Sequence, residues 1–558
     1  MAERIEEVTI VGGGTAGWLA AVYLVTLLNQ RADEGGGTRV TLIESPDVPT
    51  VGVGEATVPT MCRTLRALGI SEAEFMRRCN ASFKLGVRFV NWDHDADGNA
   101  LEYVHPFDGV GSDIFGFSPA YHFHKFAPPG DIDLGRHVSP SGTAIDNLRG
   151  PKPIGGPDYE GRINYAYHLD AGLFADMLSE IGRERGVEHV LDDVERIEQD
   201  ERGFITALDL KRAGRRPVEF VVDCTGFRGM IIHQTLGVPF ESGSKYLLND
   251  RALAVQLPHR DVRKLAPCTR STALGAGWSW RVPLFSRIGT GYVFSSQFRS
   301  DDQAMDEFLA YLGPEGKGAE PRALGMRIGR SQRAWEKNCV AIGLSSGFIE
   351  PLESTAIFII ESTVRWLALH FPDKDFNPVL ANRVNRLVRE LYEEIRDFII
   401  LHYRTSNRRD TDYWRVAAEE TDLPDSVAES LELYRHMLPH SDQYDRGYLF
   451  SVWSYLIVLA NKGWFDGIDF PAERAVSAQD WAAYTRHVDG IKRQLLDELP
   501  NHYELVAAIR GDGPAIPAQP FTGAPAATVA PTLGVGGPAP GPRITIRPKE
   551  KLGDGNIL

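Results

Sequence analysis

The sequence predicts an α/β fold in which a parallel sheet, opened by a strand–turn–helix–strand unit, is followed by a mostly helical C-terminal region. Three observations carry this. Val8-Thr9-Ile10-Val11 is a short β-rich apolar run that meets a glycine-rich turn, after which Ala20, Ala21, Leu24, Leu27 and Leu28 mark one side of a helix. Val40-Thr41-Leu42-Ile43 reads as a second strand ending in Glu44. Between Pro378 and Tyr403 the apolar positions Leu380, Val384, Leu387, Leu391, Ile395 and Phe398 recur at three- and four-residue steps, which predicts a long amphipathic helix.

The remaining elements follow in chain order. The glycine-rich stretch Arg31 to Thr38 reads as an exposed loop. From Tyr103 to Gly161, Gly, Pro, Asp and aromatic residues dominate with little periodicity, which reads as long loops laid over a sheet, the kind of segment that carries binding functions. A helical pattern from Asp170 (Leu173, Phe174, Met177, Leu178, Ile181) leads into short strands, and Phe220-Val221-Val222-Asp223-Cys224 before Thr225-Gly226 reads as a return to the first sheet. After Arg415 the chain stays helical and aromatic to about Arg510, and the Pro/Ala/Gly-rich remainder lacks the residues to bury a core, so disorder is expected there. The expected division is a core over residues 1–415, a helical region over 416–510 that closes the substrate site, and a tail over 511–558.

Composition excludes several function classes. A net charge of −15 argues against a nucleic-acid or acidic-membrane partner, since either calls for clustered positive charge. The five cysteines (Cys62, Cys79, Cys224, Cys268, Cys339) form no CxxC pair, so neither a disulfide framework nor a metal site is indicated and a reducing cytoplasm fits. The apolar run Val8 to Leu28 follows Glu3, Glu6 and Glu7 and is interrupted by glycines, unlike a signal peptide or a membrane span.

Gly12, Gly14 and Gly17 act together in this context: the first permits the turn, the second lets a pyrophosphate reach the backbone, and the third lets helix and strand pack. With Thr15 and Ala16 at the helix start and Glu44 ending the next strand they predict a dinucleotide site, FAD or NAD. Four further segments stand out. Trp278 and Trp280, in Gly277-Trp278-Ser279-Trp280-Arg281-Val282-Pro283, fall on one face of a strand and read, by themselves, as core aromatics. Lys84, in Ser82-Phe83-Lys84-Leu85-Gly86-Val87-Arg88-Phe89, alternates with apolar residues as an exposed strand would. In Gly347-Phe348-Ile349-Glu350-Pro351-Leu352-Glu353-Ser354-Thr355, Ser354 suits an N-cap, Glu353 a helix-start acid, and Ala356-Ile357-Phe358-Ile359-Ile360 a buried helix. The fourth is Gly52-Val53-Gly54-Glu55-Ala56-Thr57.

The Trp-x-Trp-x-Val-Pro element, with the other three segments in the same order, resembles the flavin-dependent tryptophan halogenases over about residues 5–415. The resemblance implies an FAD-binding, flavoprotein monooxygenase-type core with Gly347 on the cofactor side. It makes Lys84 the catalytic lysine between flavin and substrate, and Glu353 the carboxylate that orients hypohalous acid and takes the ring proton. It places the halide at the helix start around Thr355 and Ala356, gives Trp278 and Trp280 the task of shielding the flavin, and has His105 and Phe107 sandwich an aromatic substrate. Trp453, with Tyr455 and Trp464, is the expected other wall. Many relatives carry Gly where this chain has Ala356, which bears on halide access.

The implied reaction uses FADH2 from a separate flavin reductase, dioxygen and chloride or bromide to halogenate an electron-rich ring such as an indole or phenol. Substrate free or linked to a carrier or peptide, and a monomer or a homodimer, are equally compatible. Two rival readings stand beside it. An FAD-dependent aromatic hydroxylase shares the opening unit but usually has a Gly-Asp element where this chain reads Ile342-Gly343-Leu344-Ser345-Ser346-Gly347. A catalytically silent flavin-binding interaction protein has no need of both Lys84 and Glu353.

Overall fold

The computed structural model describes residues 3–29, 37–48, 54–108, 113–114, 116–128, 130–443 and 447–511. Most of the Arg31–Thr38 loop, Gly52 and Val53, and the tail beyond Gly511 lie outside the described residues. The opening unit forms as its pattern predicts: strand Glu7–Val11, helix Thr15–Leu28, strand Arg39–Glu44. Glu7–Val11 pairs in parallel with Arg39–Glu44 on one side and with Phe220–Asp223 on the other. Cys339–Ala341 and Glu188–Leu191 extend this sheet in parallel, and the short strand Trp335–Glu336 closes one edge antiparallel. Near-continuous burial of Val8–Val11 and Val40–Ile43 is what a parallel sheet covered on both faces requires.

A second, seven-stranded sheet holds Arg322–Gly325, Arg251–Pro258, Arg287–Phe294, Gly277–Pro283, Thr269–Leu274, Gly86–His94 and Ala100–Pro106 in that spatial order. A three-stranded sheet links the two, with Ala166–Asp170 between Gly54–Ala56 and Ser82–Lys84. The predicted long helix runs from Pro378 to Arg404, capped by the Asn377 side chain, and buries Val384, Leu387, Leu391, Ile395 and Phe398. One apolar cluster extends from Val8 through Phe398 to the C-terminal helices Val452–Asn461 and His502–Arg510. No helix among the described residues is long and apolar enough to cross a membrane.

The segment after Tyr103 departs from the expectation of loops alone. Pro119–Phe126, Leu134–Val138 and Ser141–Asp146 are helices, and the first two start on the side chains of Ser118 and Asp133. Each is too short for periodicity to reveal, so only the caps carried a signal. Leu173, placed by pattern on the apolar side of helix Ala171–Glu184, is 40% exposed.

Candidate active site

The carboxyl ends of the parallel strands meet the face of the seven-stranded sheet around a cavity of about 670 Å³. Gly12, Gly14, Thr15, Ala16, Glu44 and Gly347 all line it. The glycines divide their tasks as the spacing predicts. A Cβ on Gly17 would lie 1.8 Å from the Gly12 carbonyl oxygen, so Gly17 serves helix–strand packing, whereas a Cβ on Gly14 would meet nothing within 4 Å and would project into open space. That open cradle at a helix N-terminus suits a pyrophosphate. Glu44 touches Gly13 and lies 3.0 Å from His189 Nε2, which fixes its carboxylate at the cavity edge. The residues present therefore fit a dinucleotide such as FAD.

Lys84 ends the strand Ser82–Lys84, where it pairs with Ala166, and it is fully buried. The exposed-strand alternative is thereby overturned: the strand breaks at Leu85, and residues 82–87 are all buried between sheet and helices. Lys84 Nζ donates to the Thr57 carbonyl at 3.1 Å and to Ser354 Oγ at 2.8 Å, and stands 5.0 Å from the centroid of the Phe107 ring. Burial pushes the amine down to about 7, against the opposing pull of the Glu353 carboxylate.

Glu353 is also buried, and two imidazoles converge on one of its oxygens. His105 Nδ1 lies 2.9 Å and His402 Nε2 3.0 Å from Oε1. Burial raises the carboxyl, but His105 and then His402 outweigh it and hold it at about 2. Burial in turn lowers His402, partly offset by Glu353. Ser354 does not cap the following helix as its residue type suggested. It adopts a left-handed conformation (φ 61°), its hydroxyl oxygen accepts a hydrogen bond from Lys84, and Thr355 precedes the helix Ala356–Leu369. Such a backbone costs of order 1 kcal/mol in a non-glycine residue, sustained here by the surrounding contacts. The first N–H groups of that helix have no helical acceptor. Thr355 Oγ1 is buried without a hydrogen-bond partner, while Ser354 and Ala356 face the cavity.

The structure thus brings Lys84, Glu353, His105 and Phe107 together on one side of the Pro351–Ala356 turn and the glycine cradle onto the other. Trp280 lines the cavity, whereas Trp278 is buried behind it. The expected second wall is only partly assembled. Tyr455 packs on Phe398 at 5.0 Å, and Phe398 on His105 at 5.7 Å, but Trp464 lies under Arg435, and Trp453 is half-buried at the start of its helix. His402 and Glu350 escaped the sequence reading. His402 follows Phe398 by one helical turn in an apolar stripe, so a histidine at a core position was the available signal.

Among the described residues no group of three or more His, Cys, Asp or Glu side chains could hold a metal ion. Residues 7–472 match the family model described as tryptophan halogenase. The chain is 37% identical over 528 residues to the 7-chloro-L-tryptophan 6-halogenase KtzR of Kutzneria sp. (strain 744), covering 90% of this chain and 99% of that one. The fold is similar to the crystal structure of the tryptophan 6-halogenase SttH from Streptomyces toxytricini, with a TM-score of 0.83, 37% identity, and 90% of this chain and 100% of that chain covered. It is similar also to a tryptophan halogenase from Shewanella frigidimarina, with a TM-score of 0.85, 34% identity, and 91% and 98% covered. The chain belongs to the tryptophan halogenase family, the flavin-dependent enzymes that halogenate aromatic substrates.

Proposed function

We propose that the chain chlorinates or brominates an indole or phenol ring by passing halogen through Lys84, with FADH2 supplied by a separate reductase. The observation that carries this reading is the position of Ser354, which lines the cofactor cavity and also holds Lys84 Nζ at 2.8 Å. Gly12, Gly14, Thr15, Ala16, Glu44 and Gly347 would hold FAD, and Gly17, which does not line the cavity, would set the helix against the strand. When bound and reduced, that group supplies, with dioxygen and a halide ion, the oxidising power for hypohalous acid. Amide groups at Thr355 and Ala356, at the positive end of helix Ala356–Leu369, would hold the halide.

An amine brought down to about 7 is neutral often enough at physiological pH to attack halogen. Lys84 nitrogen, keeping both its protons, forms the N–halogen bond as the O–halogen bond of hypohalous acid breaks, and the hydroxide that leaves becomes water with the ring proton that Glu353 later takes. The substrate ring, held against His105 and Phe107 with Trp453 on the far side, then takes the halogen from nitrogen, and the electron pair of that bond returns to Lys84. The ring proton goes to Glu353. His105 bonds Oε1 and His402 stands 3.0 Å from it, so Oε2 is the oxygen available to that proton. A carboxylate held at about 2 is a weak base, but a halogenated ring cation is a far stronger acid than any carboxylic acid, so charge and placement matter more than basicity. A reducing cytoplasmic setting belongs to this reading, since the five cysteines form no CxxC pair.

The test is mass spectrometry of products from the purified protein with FAD, a flavin reductase, NADH, chloride or bromide, and a mixture of indoles and phenols. A halogen isotope pattern that disappears with Lys84→Ala is the expected result. Hydroxylated product alone would assign the chain to hydroxylation, and no product with flavin bound would leave it a silent flavoprotein.

A further inference from the structure

The two tryptophans of Gly277–Pro283 leave the same face of one strand but reach different places. Trp280 lies over Gly291, where an added Cβ would come within 2.0 Å of its ring, and it faces the cofactor cavity. Trp278 is 1% exposed, and its ring packs edge-on to Trp280 at 6.4 Å. Its indole Nε1–H donates to Glu350 Oε2 at 2.7 Å.

Glu350 is fully buried, and Oε2 carries all its bonds. Besides Trp278, Asn249 Nδ2 and the Tyr403 hydroxyl donate to it, each at 2.8 Å, while Oε1 has no partner. Burial pushes this carboxyl up, and the three donors oppose the shift. Asn249 is itself fixed, receiving a bond from the Tyr413 hydroxyl at 3.0 Å. A buried carboxyl with three donors on one oxygen is held in place by them, and loss of a donor removes part of its compensation for desolvation.

What Glu350 anchors is the turn that bears the reaction. Ile349 and Pro351, on either side of it, line the cofactor cavity, and Glu353 and Ser354 follow within one turn of chain. The helix Pro378–Arg404 grips this turn at two points, since adjacent residues reach its two glutamates: Tyr403 binds Glu350, and His402 lies 3.0 Å from Glu353.

The geometry points to Trp278 as a positioning residue that acts through Glu350 to hold Glu353 and Ser354 in register with Lys84, leaving contact with the flavin to Trp280 alone. This assignment rests on the halogenase reading above for its kinetic consequence, but not for its structural one. It divides between the two tryptophans a task that the resemblance gave to both.

The experiment compares Trp278→Phe, Trp280→Phe, Glu350→Leu and the Trp278→Phe/Glu350→Leu double variant in the full chain. Amide hydrogen exchange of residues 350–357, FAD affinity, and kcat and KM for halogenation are measured on each. Trp278→Phe should speed exchange in that segment and lower kcat about 10-fold, the scale of one lost buried hydrogen bond to a charged group, with KM and FAD affinity unchanged, and Glu350→Leu, which removes the acceptor, should do at least as much. The double variant should be no worse than Glu350→Leu alone, because both break the same link. Trp280→Phe should weaken FAD binding and leave the exchange alone. Unchanged exchange in both Trp278→Phe and Glu350→Leu, or an FAD affinity loss in Trp278→Phe equal to that of Trp280→Phe, overturns the assignment. If the wild type makes no halogenated product, the Lys84 reading falls, and the exchange comparison still decides the positioning role.

Discussion

The cofactor end and the reacting end of this molecule are built in opposite ways. At the first, backbone does the work within one short stretch: Gly12, Gly14 and Gly17 shape a turn, and the next strand delivers Glu44 to its rim. At the second, side chains meet across the chain, Lys84 and Ser354 being 270 residues apart and His105 and Glu353 248. The first tolerates solvent and open space, while the second places an amine and a carboxylate where burial and neighbours set their charge. A backbone cradle binds, and a buried polar cluster tunes proton affinity, which only tertiary structure can arrange.

The sharpest way to break this comparison is to remove the reacting end and ask whether the other still functions. Lys84→Ala should lower halogenation on the order of 10³-fold, toward the larger losses known for a group that handles the transferring atom, with FAD affinity unchanged. Loss of FAD binding in the same variant, by equilibrium fluorescence titration, would show the two ends to be one unit. Glu353→Gln should cost about 10²-fold in kcat with KM unchanged, as expected for loss of a positioned general base. Were Glu353 only an acid complementing a helix dipole, the same change would cost at most about 1 kcal/mol of stability, measured by denaturation, and nothing in rate.

These differences also decide what the sequence reveals. The opening unit and the helix Pro378–Arg404 are legible because periodicity and turn chemistry are local. Lys84 and Glu353 read, by themselves, as a strand residue and a helix-start acid; only resemblance to a family singles them out, since no spacing rule connects them. His402 and Glu350 carry no local signal beyond a polar side chain among apolar ones, and the left-handed Ser354 ran against its ordinary role as a cap. In that conformation its hydroxyl meets Lys84 instead. The short helices after Ser118 and Asp133 were hidden for a different reason, being too brief to show a period.

Acidity separates the two carriers of charge within the reacting end. Glu353, held at about 2, stays ionised throughout the working range and should contribute no limb to the pH profile. Lys84, brought down to about 7 by burial, is mostly ammonium below that pH and mostly amine above it. If the amine is the form that takes halogen, single-turnover halogenation should rise about 10-fold per pH unit below 7 and level off above it. A rate that instead falls through the same pH would assign the ammonium a hydrogen-bonding task toward hypohalous acid, and so exclude the N–halogen bond.

The smallest expected effect probes the cofactor end alone. Gly14 has φ −75° and ψ −174°, a conformation open to any L-residue, and a methyl group there would meet no protein atom within 4 Å. Gly14→Ala should therefore leave the melting temperature of the apoprotein unchanged. The methyl group nonetheless projects into the space where the pyrophosphate must approach the helix N-terminus, and should weaken FAD binding about 5-fold, a loss near 1 kcal/mol. Affinity by titration and melting temperature by calorimetry read the two effects separately. A variant that melts earlier but binds FAD normally would mean that this glycine serves the turn and that the cofactor's phosphates lie elsewhere along the cavity.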